Sequence, residues 1–390
     1  MKKTIATFLV ASTLSGNEIS NLLNSNYNEL FDLELQKSMQ EKSFDSKSWI
    51  SPIMLTWQRD WSNKITGSFE KSDSFVVSID QPIFKSGGIY YGIKFAKAKY
   101  DLSRISIKKE KQSLIVNAIE LLFKIKQTKL NIAKLKLQLK NSKIEVKSDQ
   151  ELYNAGMIDS IVLDTALAKE QQSETSLLNL EQSLQELIGA FSKISSKNPN
   201  SLRLPKLKLV NEEDFINKNL DIKAANAELK VKKYSSKLTA TKYLPTVSVG
   251  ARYTKISPTA PGVRDSFKNY SLRVSMPLSV NVASDLEQAK LDKMIAQIKV
   301  KNSRKNAIID YEMIKRKISI INRQIALAYK EATIYKKLLN STKRLYKAGQ
   351  KSKNDVDLLR NSYKIKKLDA KIYRINKELE LLKLYAKMQS

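Results

Sequence analysis

Two long tracts without proline constrain this chain more than any other feature. Its prolines fall at Pro52, Pro82, Pro199, Pro205, Pro245, Pro258, Pro261 and Pro277, which leaves 83–198 and 278–390 free of them. Proline costs about 3 kcal/mol inside a helix, so both tracts read as long helices. Glycine is also sparse, at 10 residues where average usage would give about 27. There is no Cys and no His. That excludes disulfides, Cys/His zinc sites and Ser-His-Asp triads. An acid–base enzyme would have to rely on carboxylates, Lys or Tyr.

The chain opens on Met1-Lys2-Lys3, an apolar run from Thr4 to Leu14, and the small residues Ser15-Gly16. This is the grammar of a secretory signal peptide over 1–16, too short to span a bilayer. No later segment carries 18 consecutive apolar residues, so no transmembrane helix is expected. If the protein enters a membrane, it does so as strands.

A repeat organises the rest. Leu152-Tyr153-Asn154-Ala155-Gly156 recurs as Leu345-Tyr346-Lys347-Ala348-Gly349, an offset of 193 that Asn26/Asn219 and Pro52/Pro245 share. Asp80-Gln81-Pro82-Ile83-Phe84 aligns with Ser275-Met276-Pro277-Leu278-Ser279. The chain therefore reads as a tandem duplication, with units of roughly 190 residues. Each half has one plan. Repeat 1 comprises an N-terminal helix (17–48, with its pattern from Glu18 to Glu41), a β-hairpin (49–85) and a long helical hairpin (86–195). A linker (196–212) leads to repeat 2, with a first helix (213–242, from Glu213 to Thr241), a β-hairpin (243–280) and a helical hairpin (281–390).

The strand zones alternate with period two. Ile53, Leu55, Trp57 and Trp61 share one side, and Thr56, Gln58 and Asp60 the other. Val247, Val249, Ala251 and Tyr253 alternate with Ser248, Gly250, Arg252 and Thr254, and Tyr270, Leu272, Val274 and Met276 with Ser271, Arg273 and Ser275. Turns are expected near Thr66–Ser72 and Ser257–Asp265. Strands of about ten residues, apolar on one face, have the length and pattern of transmembrane β-strands. Edge hairpins of a soluble sheet are the alternative. Trp57, Trp61, Tyr253 and Tyr270 are the candidate aromatic girdle. Four strands are too few to close a barrel, so the pattern asks for a covering helix layer or for several chains pooling strands.

The long helices carry heptads. Leu114, Ala118, Leu121, Ile125, Thr128, Ile132, Leu135 and Leu139 are spaced 4-3-4-3, as are Ala307, Tyr311, Ile314, Ile318, Ile321, Ile325, Ala328, Ala332, Tyr335 and Leu339. These are coiled-coil seams. Gly156 and Gly349 then fold each rod back. The expected fold is mainly α with a small β part: a tandem repeat of long coiled-coil helical hairpins plus two β-hairpins.

Signal, tandem halves, strand hairpin, heptad helix and Leu-Tyr-x-Ala-Gly tip together resemble the TolC family of outer-membrane efflux channels, from Glu18 to Met388. The tips carry the sharpest likeness: Tyr153 to Asp159 with Val162-Leu163-Asp164, and Tyr346 to Gly349 with Ser352 and Asp355-Val356-Asp357-Leu358. The exit Gln81-Pro82-Ile83-Phe84 is also similar. The resemblance implies a homotrimer whose strands build one shared 12-stranded barrel, set in outer-membrane lipid with a long periplasmic extension, in a Gram-negative bacterium. It implies export of small molecules or a polypeptide, as in tripartite efflux or type I secretion. The implied partners are a periplasmic adaptor (membrane fusion) protein and an inner-membrane pump of RND, MFS or ABC type. No catalysis, cofactor or metal is implied. It places a periplasmic gate at Tyr346, Lys351 and Asp355. Tip turns that dock the adaptor fall at Ala155, Gly156, Met157, Ala348, Gly349 and Gln350. The tip acids equally suit plain helix capping.

The formal charge of +30 first suggests nucleic acid. The basic residues are mostly Lys, scattered over exposed helix positions such as Lys124, Lys126, Lys129, Lys134, Lys136 and Lys140, and no nucleic-acid-binding signature is present. A solvated helix face explains them better, so no nucleic-acid partner is expected. The rival functional reading is a soluble periplasmic coiled-coil adaptor or scaffold protein. An adaptor would show one helical hairpin between β-rich halves.

Overall fold

Helix propensity and breakers account for the element order. The computed structural model describes residues 22–62, 70–257 and 264–389. The signal peptide and the first residues of the Glu18–Glu41 helix lie outside them. Repeat 1 consists of α1 (Ser25–Lys47), β1 (Met54–Ser62), β2 (Glu70–Phe84), α2 (Gly88–Asn154) and α3 (Ser160–Ile194). A short α4 (Glu212–Lys218) leads into repeat 2: α5 (Leu220–Thr241), β3 (Thr246–Ser257), β4 (Ser266–Ser275), α6 (Val282–Lys347) and α7 (Lys353–Ala386). The matching helices have nearly equal lengths: 67 and 66 residues for α2 and α6, 35 and 34 for α3 and α7. At about 1.5 Å per residue, α2 is a rod of about 100 Å. Each half also closes on itself in the same way. Asn24 N donates to Ile194 O (3.0 Å), and Leu220 N to Lys387 O (2.8 Å).

Two expectations need correction. The helix expected to run unbroken from Glu213 is two helices, because Asn219 ends α4 and forms an antiparallel bridge with Met388. That tertiary pairing takes the place of continued helix. β2 runs for 15 residues, and it already includes Glu70–Ser72, placed in the turn from sequence. The rest of that turn, and 258–263 of the second, lie outside the described residues.

The chain divides into two compact units. One comprises 22–31, 108–220 and 305–389 of the described residues. Here the first expected seam is realised: Ala118, Leu121, Ile125, Thr128 and Ile132 are buried. Phe123, Phe191 and Phe215 are almost fully enclosed. Helix α3 returns along α2 with Lys136–Glu181 (3.2 Å), Lys143–Glu174 (3.1 Å) and Lys169–Glu145 (2.6 Å) pairs. Such exposed pairs contribute roughly 0–1 kcal/mol each and chiefly set register. A polar ladder joins α2 to α7 about once per heptad: Gln127–Asn376, Lys134–Asp369 and Asn141–Asn361.

The linker is strapped down by side chains. Tyr311 and Tyr385 donate to the carbonyls of Val210 and Lys208, and Leu207 N donates to Glu378. Burial pushes the Glu378 carboxyl up, partly offset by the Leu207 N–H bond and then by Lys377 and Lys206.

The other unit comprises 32–107 and 221–304. It holds one antiparallel sheet of order β1-β2-β3-β4. Helix α1 packs on the start of α2 through Lys99–Asp45 (3.0 Å), and α5 on the start of α6 through Lys232–Asp292 (2.6 Å). The four helix ends meet the sheet at one end; its hairpin loops lie at the other. Pro82 is accommodated in central strand β2 at a register shift between Pro82 and Phe84, as proline in a sheet requires. Gln81 accepts from Ser51 N (2.9 Å) and donates to Trp49 O (3.2 Å), fixing the entry to β1.

Candidate functional site

The first candidate surface is the sheet. Register puts Leu55, Trp57, Arg59 and Trp61 on one face with Phe75, Val77, Ile79, Val249, Ala251, Tyr253, Tyr270, Leu272 and Val274. The face is bare: Tyr270 is 79% exposed, Leu272 72%, Val274 68% and Trp57 63%. A face this apolar needs a cover, and within the described sheet no helix supplies it to β4. The opposite face is richer in polar and small residues, with Thr56, Gln58, Ser74, Ser78, Ser248, Gly250 and Ser271, although Val76, Ile256 and Phe267 also fall on it. On it Arg273 reaches across β3 to Asp80 at 2.9 Å, and Gly250, lying between those strands, presents no side chain to obstruct it. The expected girdle residues Trp57, Trp61, Tyr253 and Tyr270 all fall on the apolar face. Strands β1 and β4 each pair on one side within this sheet, which leaves two edges open.

The second candidate surface is the pair of tips. Both helices end in the same Schellman turn. Gly156 N donates to Tyr153 O (2.9 Å) and Met157 N to Leu152 O (2.9 Å); Gly349 N donates to Tyr346 O (3.0 Å) and Gln350 N to Leu345 O (2.9 Å). Gly156 and Gly349 have φ of 70° and 72°. A Cβ at either would meet nothing within 4 Å, so substitution costs backbone strain alone. Gly349→Ala should lower stability by about 1–2 kcal/mol. Gly349→Asn, which tolerates this conformation, should lose less. Thermal unfolding of the detergent-solubilised protein checks the order.

Around these turns the expected site residues divide. Ala155, Gly156 and Met157 form the first turn, with Met157 73% exposed; Ala348, Gly349 and Gln350 form the second. Lys351 and Asp355 come within 3.9 Å. Tyr346, 45% exposed, belongs to the preceding helix, and among the described residues no hydrogen bond of its hydroxyl to either is found. Asp355 is engaged in a capping box: Ser352 N and Oγ both donate to its carboxylate at 2.9 Å, and Asp355 N donates to Ser352 Oγ at 3.1 Å. These bonds hold its carboxyl below the usual carboxylate range, against a small opposing effect of burial. Because the folded value is depressed, this contribution is fully present above about pH 4 and is lost as pH falls through the folded value. Wild type and Asp355→Asn should therefore differ in melting temperature at neutral pH and converge in acid. Asp159 likewise caps α3, accepting from Ile161 N at 3.2 Å.

One property of the tips was missed by pattern reading. In matching windows, 150–167 holds three acids and no base, whereas 343–360 holds six bases and two acids. Equal backbones thus present opposite charge. Counting charge per repeat, once the offset was known, would have found it.

Residues 53–188 match the family model for outer membrane efflux proteins. A comparison with curated proteins finds no significant match. Among solved structures, the chain resembles the outer membrane protein VceC from Vibrio cholerae, with a TM-score of 0.73 and 13% identity over 94% of each chain. It resembles the Campylobacter jejuni CmeC outer membrane channel, with a TM-score of 0.73 and 16% identity over 96% of this chain and 86% of that one. It also resembles the open-state Neisseria gonorrhoeae MtrE outer membrane channel, with a TM-score of 0.69 and 15% identity over 95% and 87%. At such identities the structural likeness is one of fold. The chain thus contains a segment that matches outer membrane efflux proteins, within a fold that it shares over nearly its whole length with outer-membrane channels.

Proposed function

We propose that this protein is an outer-membrane channel-tunnel for efflux, acting as a homotrimer and catalysing no reaction. The open four-stranded sheet with one bare apolar face carries this reading. In lipid every backbone polar group needs a partner, so only a closed barrel tolerates such strands. Three copies bring twelve strands and join each β1 edge to a β4 edge. A second feature supports the same assembly. Ile309, Met313, Ile320, Leu327, Ile334 and Leu338 form a stripe on α6, each 44–56% exposed. Four of them recur every seven residues, as on a coiled-coil seam awaiting a partner helix.

Export would run from an inner-membrane pump through a periplasmic adaptor that meets the tips at Ala155–Met157 and Ala348–Gln350. The opposite charge of the tips means that a partner must read them as two different surfaces. The periplasmic gate is assigned to Tyr346, Lys351 and Asp355, as links made across chains. In planar bilayers Asp355→Ala, alone or with Tyr346→Phe, should raise single-channel conductance. Ser352→Ala, which removes the cap but keeps the acid, should not. Unchanged conductance in both gate variants would remove these residues from the gate, and absence of any channel would overturn the function.

A further inference from the structure

We propose that the loop end of the apolar sheet face is a docking site for a phosphorylated glycolipid of the outer leaflet, held by Lys71, Lys255 and Lys268. This rests on the outer-membrane reading above. The charge on that face is confined to one end. Its registered positions there include Arg59, Lys71, Lys255 and Lys268, with Asp73 as the acid. Asp73 is already engaged by Arg59 at 2.6 Å. Toward the helical end the same face presents Gln81, Val247 and Val274, with no charge at its registered positions. A face that met water or protein uniformly would have no reason for this polarity; a face crossing a bilayer with one anionic leaflet would.

Depth supports the assignment. The strands are staggered: Met54, which opens β1, lies opposite Ser78 and through it Arg252, six residues loopward of Thr246, where β3 opens. Strands tilted by roughly 40° and about 4.8 Å apart shift by a little over one residue per strand. One membrane level therefore runs diagonally across the sheet. Trp57, Tyr253 and Tyr270 lie on such a diagonal, displaced by two residues at β3 and four at β4 from the straight row. Arg59, Lys255 and Lys268 lie on the next, two residues outward on each strand. On β3 and β4 an aromatic level is thus followed by a cationic one, the order of a lipid–headgroup boundary; on β1, Trp61 lies two residues beyond Arg59. Arg59 also sits 5.4 Å over the Trp57 ring. Lysine suits phosphate as a point charge on a long stem that can reach out of the apolar layer. Lys255 and Lys268 are diagonal cross-strand neighbours, a spacing of about 7–8 Å that lets one headgroup with two phosphates engage both.

The test uses the full chain reconstituted in phosphatidylcholine vesicles containing either diphosphoryl lipid A or phosphatidylglycerol at equal charge. Lipid retained per chain is measured after detergent extraction. Wild type should retain lipid A in preference to phosphatidylglycerol. Lys71→Gln/Lys255→Gln/Lys268→Gln should lower its apparent affinity on the order of 100-fold, at roughly five-fold per lysine. Arg252→Gln, on the opposite face, should leave retention unchanged. Equal retention by the triple variant, equal retention of phosphatidylglycerol, or an equal loss in Arg252→Gln overturns the site while leaving the channel intact. Failure to insert into any vesicle overturns both.

Discussion

Val274→Arg is expected to abolish stable insertion into the outer membrane, while Ser275→Arg, one residue along, should be tolerated. Val274 is on the apolar face, 68% exposed, with the Tyr270 level outward of it and Met276 and Leu278 inward. It therefore falls near mid-bilayer, where arginine on the lipid face of a barrel costs about 2–4 kcal/mol. In the proposed trimer that cost falls once per chain. Ser275 pairs with Thr246 at the end of the polar face, where a guanidinium meets water. Fractionation of cells expressing each variant reads the result. Equal loss, or no loss, in both would mean that the two faces are not differently solvated.

Phe215→Ala is expected to lower thermal stability sharply. Phe215 is 0% exposed, and its ring lies 5.8 Å from that of Tyr311. Truncating a buried Phe costs about 3–5 kcal/mol. Helix α4 has 7 residues, far too few to hold its shape alone, so it depends on this contact together with the pairing of Asn219 with Met388. Tyr311 also donates to Val210 O at 2.9 Å, so losing the ring loosens one of the three ties on the linker. Ile216→Ala, at a half-buried neighbour, should cost much less. A similar fall in both variants would place the anchor elsewhere.

Much of the fold is legible from residue chemistry. The helix expected from Ser86 to Tyr153 is seen as Gly88–Asn154, because absent proline and a sustained heptad leave the backbone little choice. The tip glycines announce positive φ for the same local reason. What depends on distant partners is not legible. No breaker marks Asn219; its helix ends because Met388 pairs with it. Lys71 and Ser72 look like turn residues and are strand, since β2 takes its extent from β1 and β3. The α2–α7 ladder is invisible until Gln127 is known to face Asn376. In the candidate site, the sheet faces were readable from alternation. The gate was not: within one chain Asp355 is satisfied by Ser352, and the proposed links to Tyr346 run between chains.

Counting the copies in the detergent-extracted membrane protein tests the central claim most directly. Native mass spectrometry after outer-membrane extraction should give three chains per particle, since three times four strands close the barrel and cover both sheet edges. A monomer, or a soluble particle recovered without detergent, would contradict the shared barrel.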